Sequence, residues 1–231
     1  MHGRLLALLA AATKEERRMA AQQLIALAVR EPEAVVALSV ALADADPHRR
    51  WGAAFVLHRA GVRDEGVFCG ALVALGADDG DVRWAAAEMV VSLAAANAVR
   101  RDRVREIASD PAATGRKMAL YCLRDLGGDD ADVFVAGLTA HDSGIRLAAV
   151  ACLGRVRTLS TREVDALLAA VENDPDAGLR RAATVALRGA TNDEERVRPV
   201  LERLRSQASD PDLARAAERA LTDLAAGRAA G

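Results

Sequence analysis

Asp174-Pro175-Asp176-Ala177-Gly178-Leu179-Arg180-Arg181-Ala182-Ala183-Thr184-Val185-Ala186-Leu187 reads as a turn leading into a short amphipathic helix, and its recurrence decides the fold. Arg180 is followed by Ala three residues later and by Leu seven later. The same spacing starts at Arg17, Arg50, Arg83, Arg116 and Arg146, and a seventh unit has Ala214 at the anchor. Three residues on stand Ala20, Ala53, Ala86, Ala119, Ala149, Ala183 and Ala217. Seven on stand Leu24, Leu57, Val90, Leu123, Leu153, Leu187 and Leu221. The steps between anchors are 33, 33, 33, 30, 34 and 34 residues. A period of this length marks a repeat architecture.

Each unit reads as two helices. Apolar-periodic runs at 34–43, 67–76, 133–139, 164–171 and 197–204 supply the first helix of a pair. A turn follows, usually with an aspartate: Asp46-Pro47, Asp78-Asp79-Gly80, Asp110-Pro111, His141-Asp142-Ser143-Gly144, Asp174-Pro175, Asp210-Pro211. An aspartate carboxylate accepts the free N–H groups of a first helical turn, and proline fits there because no N–H is needed. The second helices are expected near 14–28, 47–60, 80–95, 112–126, 142–157, 175–189 and 211–226. Gly61, Gly76 and Gly127 stand where helices are expected to stop. No period-two alternation competes, so no strands are expected. One pair cannot bury its apolar stripe alone, whereas stacked pairs share a core. The expected fold is therefore all-α, an α-solenoid of about seven helix pairs forming a single repeat domain over 1–231. The short step with Gly127-Gly128 inside it is the expected place for a bend.

Composition agrees. Of 231 residues 52% are apolar but only 3% aromatic. A core of Ala, Leu and Val suits closely spaced helices. The net charge of −2 and pI near 6.1 argue against a general nucleic-acid or membrane binder. Cys69, Cys122 and Cys152 have neither zinc nor redox spacing and are expected to be buried thiols. No apolar run approaches membrane-spanning length, and a cytoplasmic protein is expected. Met1 to Arg4 followed by Leu5 to Ala12 resembles a signal peptide in outline, but the next helix needs a packing partner and this segment supplies it.

The stretch 174–187, and Asp81-Val82-Arg83-Trp84-Ala85-Ala86 with it, resembles the short HEAT-like repeats, including those of phycobilin lyases. Tetratricopeptide and ankyrin signatures are missing. The resemblance covers nearly the whole chain. It implies a structural ladder between neighbouring repeats, made by the anchor arginines Arg50, Arg83, Arg116, Arg146 and Arg180 with the turn aspartates Asp46, Asp79 and Asp142.

Counting 100° per residue from the anchor, positions +1, +5 and +8 lie opposite the apolar stripe. That ridge is Arg18, Gln22 and Ile25, then Trp51, Phe55 and His58, then Trp84, Glu88 and Val91, then Lys117, Tyr121 and Arg124. Leu147, Ala151 and Gly154 follow, then Arg181, Val185 and Arg188, and lastly Arg215, Arg219 and Thr222. These 21 positions hold four of the six aromatics, seven basic residues and one acid. The ridge carries +6 and the remainder of the chain −8. Small alanines on the second helices predict that these helices lie on the inner side of the curve, so the ridge would line a concave groove.

Exposed Trp, Tyr and Arg favour binding. The expected function is a non-catalytic scaffold for a protein or peptide partner, anionic in character. Trp51, Phe55, Trp84, Glu88, Lys117, Tyr121 and Arg124 are the expected contacts, with Arg18, Arg181 and Arg188. No cofactor or membrane is called for, and a monomer or weak self-association is expected. Nucleic acid is the alternative partner, through phosphate contacts and base stacking. Trp84 and Glu88, one turn apart, with Arg124 a repeat later, resemble the concave face of HEAT-like alkylpurine DNA glycosylases, but the second downstream tryptophan of those enzymes has no match. Metal-dependent HEAT hydroxylases need repeated His-Glu pairs, whereas His2, His48, His58 and His141 are followed by Gly, Arg, Arg and Asp. No phosphate loop or nucleophilic triad can be read.

Overall fold

The computed structural model describes residues 2–11 and 13–229, with side chains for 3–11 and 13–226. Among the described residues there are fourteen α-helices and no strand. They are α1 His2–Leu8, α2 Lys14–Ala28, α3 Pro32–Ala41, α4 Pro47–Arg59, α5 Glu65–Ala74, α6 Gly80–Ala94 and α7 Ala98–Ser109. Then come α8 Arg116–Leu126, α9 Ala131–Gly137, α10 Ser143–Leu153, α11 Thr161–Asn173, α12 Ala177–Ala186, α13 Glu194–Gln207 and α14 Pro211–Ala229. The architecture is an α-solenoid of HEAT-like helix pairs. The helices cluster into two compact units, 1–107 with 112–122 and 108–111 with 123–231.

In the first unit α1 pairs with α2, α3 with α4 and α5 with α6. Neighbouring pairs meet through α2 on α4 and α4 on α5. In the second unit α9 pairs with α10, α11 with α12 and α13 with α14, and the row α10, α12, α14 packs side by side. All seven alanines at +3 and all seven aliphatic residues at +7 are buried. A methyl at +3 lets a neighbouring helix approach closely. Each buried leucine at +7 contributes about 1.5–3 kcal/mol relative to exposure.

The helix starts are made by carboxylates and hydroxyls. Asp46, Asp64, Asp79, Asp142 and Asp176 each accept a backbone N–H of the first turn of α4, α5, α6, α10 and α12, and Thr13 does so for α2. Two expected turns differ. Asp176, not Asp174, caps α12. Asp110-Pro111 does not stand directly before a helix, because α8 begins only at Arg116.

Arg50, Arg83, Arg146 and Arg180 each make a contact inside their own repeat that the ladder implied by the resemblance does not describe. Nη1 of Arg50 donates to the carbonyls of Asp44 and Ala45 at 2.7 and 2.8 Å. Arg83 donates to Ala77 and Asp78, both at 2.7 Å. Arg146 holds Ala140 and His141, and Arg180 holds Asp174 and Pro175. The guanidinium thus reaches back five and six residues to the carbonyls where the first helix ends. It closes the turn inside its own repeat, and Asp46, Asp79 and Asp142 serve as helix caps. Inter-repeat pairing of the expected kind occurs at Arg146, which also binds Asp174.

Gly61 and Gly127 take positive φ at helix ends, 93° and 67°. Gly76 is required for a different reason. A Cβ there would sit 2.4 Å from Thr114 Oγ1. Cys122 and Cys152 are buried, and burial pushes the Cys152 thiol up to about 12. Cys69, expected to be buried, is half-exposed beside Arg103 and Glu65.

Candidate binding face

None of the 21 ridge residues is buried. The helical period that sends +3 and +7 inward sends +1, +5 and +8 outward, so one periodicity sets both core and surface.

The first unit curves with its second helices inside. Lys14, at the start of α2, donates to Asp81 at 2.7 Å and pairs with Asp79 at 3.1 Å, both at the start of α6 two repeats later. Two helix spacings of about 8–10 Å each exceed the reach of one lysine and one aspartate unless the row bends inward. The two carboxylates raise the Lys14 pKa, and the Lys14 ammonium holds Asp79 below the usual carboxylate range.

Under this bridge lies a concave pocket of about 470 Å³. Trp51 and Phe55 line it, their ring centroids 5.7 Å apart at 46°, with Leu9, Ile25 and Val82. Its polar groups are Lys14, Arg17, Arg18, Arg59, His48 and Gln22, with Asp79 and Asp81. An apolar lining with a few convergent charges, at this volume, is what ligand-sized pockets have. Arg17 is committed to the Ala11 carbonyl and Arg18 lies 3.6 Å from Asp81. Arg59 is exposed at the pocket's edge.

The second aromatic pair stands apart from this pocket. Trp84 on α6 stacks on Tyr121 of α8, centroids 5.6 Å apart at 20°, and Trp84 is 53% exposed. Glu88, one turn after Trp84, and Lys117, one turn before Tyr121, are both exposed. The structure therefore divides the expected aromatic groove of repeats two to four into two places. Trp51 and Phe55, with Arg18, line a pocket. Trp84, Tyr121, Glu88 and Lys117 belong to an open surface.

Several ridge cations are already paired. Arg124 binds Asp125 through Nε at 2.7 Å. Arg181 pairs with Asp210 at 3.3 Å, Arg188 donates to the Gly154 carbonyl at 2.9 Å, and Arg215 pairs with Asp212. The positive charge counted on the ridge is thus partly neutralised, by Asp125 and Asp212 within the same repeat as Arg124 and Arg215 and by Asp210 of the following repeat at Arg181. His58 is held below its ordinary pKa by burial and by the Arg63 and Arg59 guanidiniums.

Lys14, Arg59, Leu9 and His48 were not among the expected contacts. Lys14 lies three residues before its anchor, at about 60° on the helical wheel, within about 50° of the ridge. Extending the ridge one turn toward the N-terminus finds it. Leu9 belongs to no second helix and carries no such signal.

Among the described residues no three His, Cys, Asp or Glu side chains gather as a metal site, and no helix is long and apolar enough to cross a membrane.

YibA of Escherichia coli is similar in structure, with a TM-score of 0.58 at 17% identity, 96% of this chain and 92% of that one being covered. The archaeal HEAT-like repeats protein of Thermococcus onnurineus NA1 gives 0.54 at 12%, covering 98% of each. A chain from the structure of Kap95p with RanGDP gives 0.65 at 15%, with all of this chain matching 34% of that one. No curated protein sequence matches. The model of the HEAT repeats family matches residues 102–188 and 131–222, together more than half of the sequence, and on that match the chain belongs to the HEAT-repeat family.

Proposed function

We propose that the protein is a non-catalytic scaffold that binds a peptide segment of a protein partner on the inner face of its first unit. The observation that carries this reading is the pocket under the Lys14 bridge. Its lining by Trp51 and Phe55 offers a site for a large apolar side chain, and Lys14, Arg18 and Arg59 at its edges outnumber Asp79 and Asp81. That pairing of chemistry favours a segment in which an apolar residue stands beside carboxylates. Arg181 and Arg188 in the second unit are assigned to the same class of partner on the strength of their ridge positions alone.

The test is selection from a random peptide library on the immobilised, folded chain, repeated with the Trp51→Ala/Phe55→Ala variant. Enrichment of sequences with a large apolar residue next to Asp or Glu, lost in the variant while its circular dichroism is unchanged, supports the reading. Equal enrichment by the variant overturns it. Single-stranded and duplex DNA titrated at low and high salt form the second arm. Salt-sensitive DNA binding would replace the peptide reading by the nucleic-acid one. Release of an alkylated base that Glu88→Gln abolishes would establish a glycosylase.

A further inference from the structure

The open surface at Trp84 has a charge chemistry opposite to that of the pocket. Trp84 lies against Tyr121 on one side, which fixes the indole plane, and its 53% exposure leaves ring surface to solvent. The faces of an indole are electron-rich and attract cations. Among the described residues no arginine or lysine lies over the Trp84 ring, whereas Arg100 and Arg103 lie over Phe68. Glu88 follows Trp84 by one turn on the same face of α6 and is exposed, with no ion pair among the described residues. Lys117 holds the same position as Trp84 on the next second helix, and it too forms no ion pair among the described residues.

We propose that Trp84, Tyr121 and Glu88 form a subsite for one cationic side chain, an arginine of the bound segment, its guanidinium lying on the Trp84 ring and hydrogen-bonding to the Glu88 carboxylate. Arginine suits the site better than lysine because its planar group stacks on a ring and presents N–H donors in the same plane. This inference rests on the peptide reading above and refines it. The partner segment is then not uniformly acidic. With second helices about 8–10 Å apart and about 3.3 Å of extended chain per residue, an arginine stands about three residues from the apolar residue seated at Trp51.

The protein has only two tryptophans, so each subsite carries its own indole N–H reporter in an NMR spectrum, assigned with Trp51→Phe. The probes are Nα-acetyl-arginine methylamide, its uncharged citrulline counterpart, and Nα-acetyl-aspartyl-phenylalanine amide. Arginine is expected to shift the Trp84 signal saturably and citrulline to leave it in place. Glu88→Gln weakens the arginine effect about two- to fivefold. Lys117→Ala strengthens it, because a like charge is removed. Equal shifts by arginine and citrulline, no shift with either, or an effect indifferent to Glu88→Gln overturns the subsite. The acidic dipeptide reports separately at Trp51. If Trp51 responds and Trp84 stays silent, the cation subsite alone fails. If Trp84 responds to arginine and Trp51 stays silent, the pocket reading fails and the cation subsite stands.

Discussion

Arg146 and Asp174 join two successive repeats through a two-point contact, Nε to Oδ2 at 2.7 Å and Nη2 to Oδ1 at 3.2 Å. The same guanidinium holds the Ala140 and His141 carbonyls through Nη1, and Asp174 also accepts the Asp176 N–H at 2.9 Å. Both side chains are largely buried. Asp174→Ala leaves a buried arginine without its carboxylate and an N–H without its acceptor. A loss of about 1–3 kcal/mol is expected in urea unfolding. Asp165→Ala, which removes the exposed pair with Arg196, should barely move the midpoint.

The same contact makes stability depend on acid. Burial alone would raise the Asp174 pKa, but the Arg146 guanidinium and the Asp176 N–H outweigh it, and the carboxyl is held below the usual carboxylate range. A carboxyl whose pKa is lower in the folded state contributes stability above its ordinary value, about 3.9, and loses it as pH falls from there through the folded value. Urea midpoints followed from neutral pH down to about pH 2.5 should therefore fall less steeply below about pH 4 in Asp174→Asn than in the natural chain.

Gly76→Ala is expected to destabilise the first unit by about 1–3 kcal/mol, because the new methyl meets Thr114 Oγ1 at 2.4 Å and Thr114 Cβ at 3.0 Å. Thr114→Ala removes the nearer of those atoms. The double variant should recover part of the loss, which a thermal unfolding cycle over the four proteins measures. Strict additivity would show that the two residues do not touch.

Alkylation followed by mass spectrometry should separate the three cysteines. Cys69 is half-exposed, with Arg103 Nη1 donating to its sulfur at 3.4 Å. It should react with iodoacetamide in the folded protein at about pH 8. Cys122 and Cys152 are buried, and the Cys152 thiol is pushed up to about 12, so both should react only after unfolding. Native labelling of Cys152 would contradict this packing.

The repeat, its buried alanines and its outward ridge were legible in the sequence because each follows from position within a single helix. Ala53 and Leu57 face inward, and Trp51 and Phe55 outward, by the same 100° per residue. What was not legible depends on a second helix. Arg181 reads as a free cation until Asp210 and Asp212 of the following repeat are placed beside it, and Arg18 likewise until Asp81 is. Asp174 and Asp176 are equally good caps by residue type; the structure gives the cap to Asp176 and pairs Asp174 with Arg146, 28 residues upstream. The division of the aromatic ridge was also hidden, since Trp51 turns to Phe55 on its own helix and Trp84 to Tyr121 on another.

The arginine clamp closes within one unit, tying residues at positions −5 and −6 to the anchor. A helix pair copied or excised as a whole takes that guanidinium and its carbonyl acceptors with it, so the turn stays closed. Duplication by whole periods therefore leaves this closure of the turn intact. At Arg146 the guanidinium also reaches the next copy, because Asp174 belongs to it, and a cut there would strand one charge on each side.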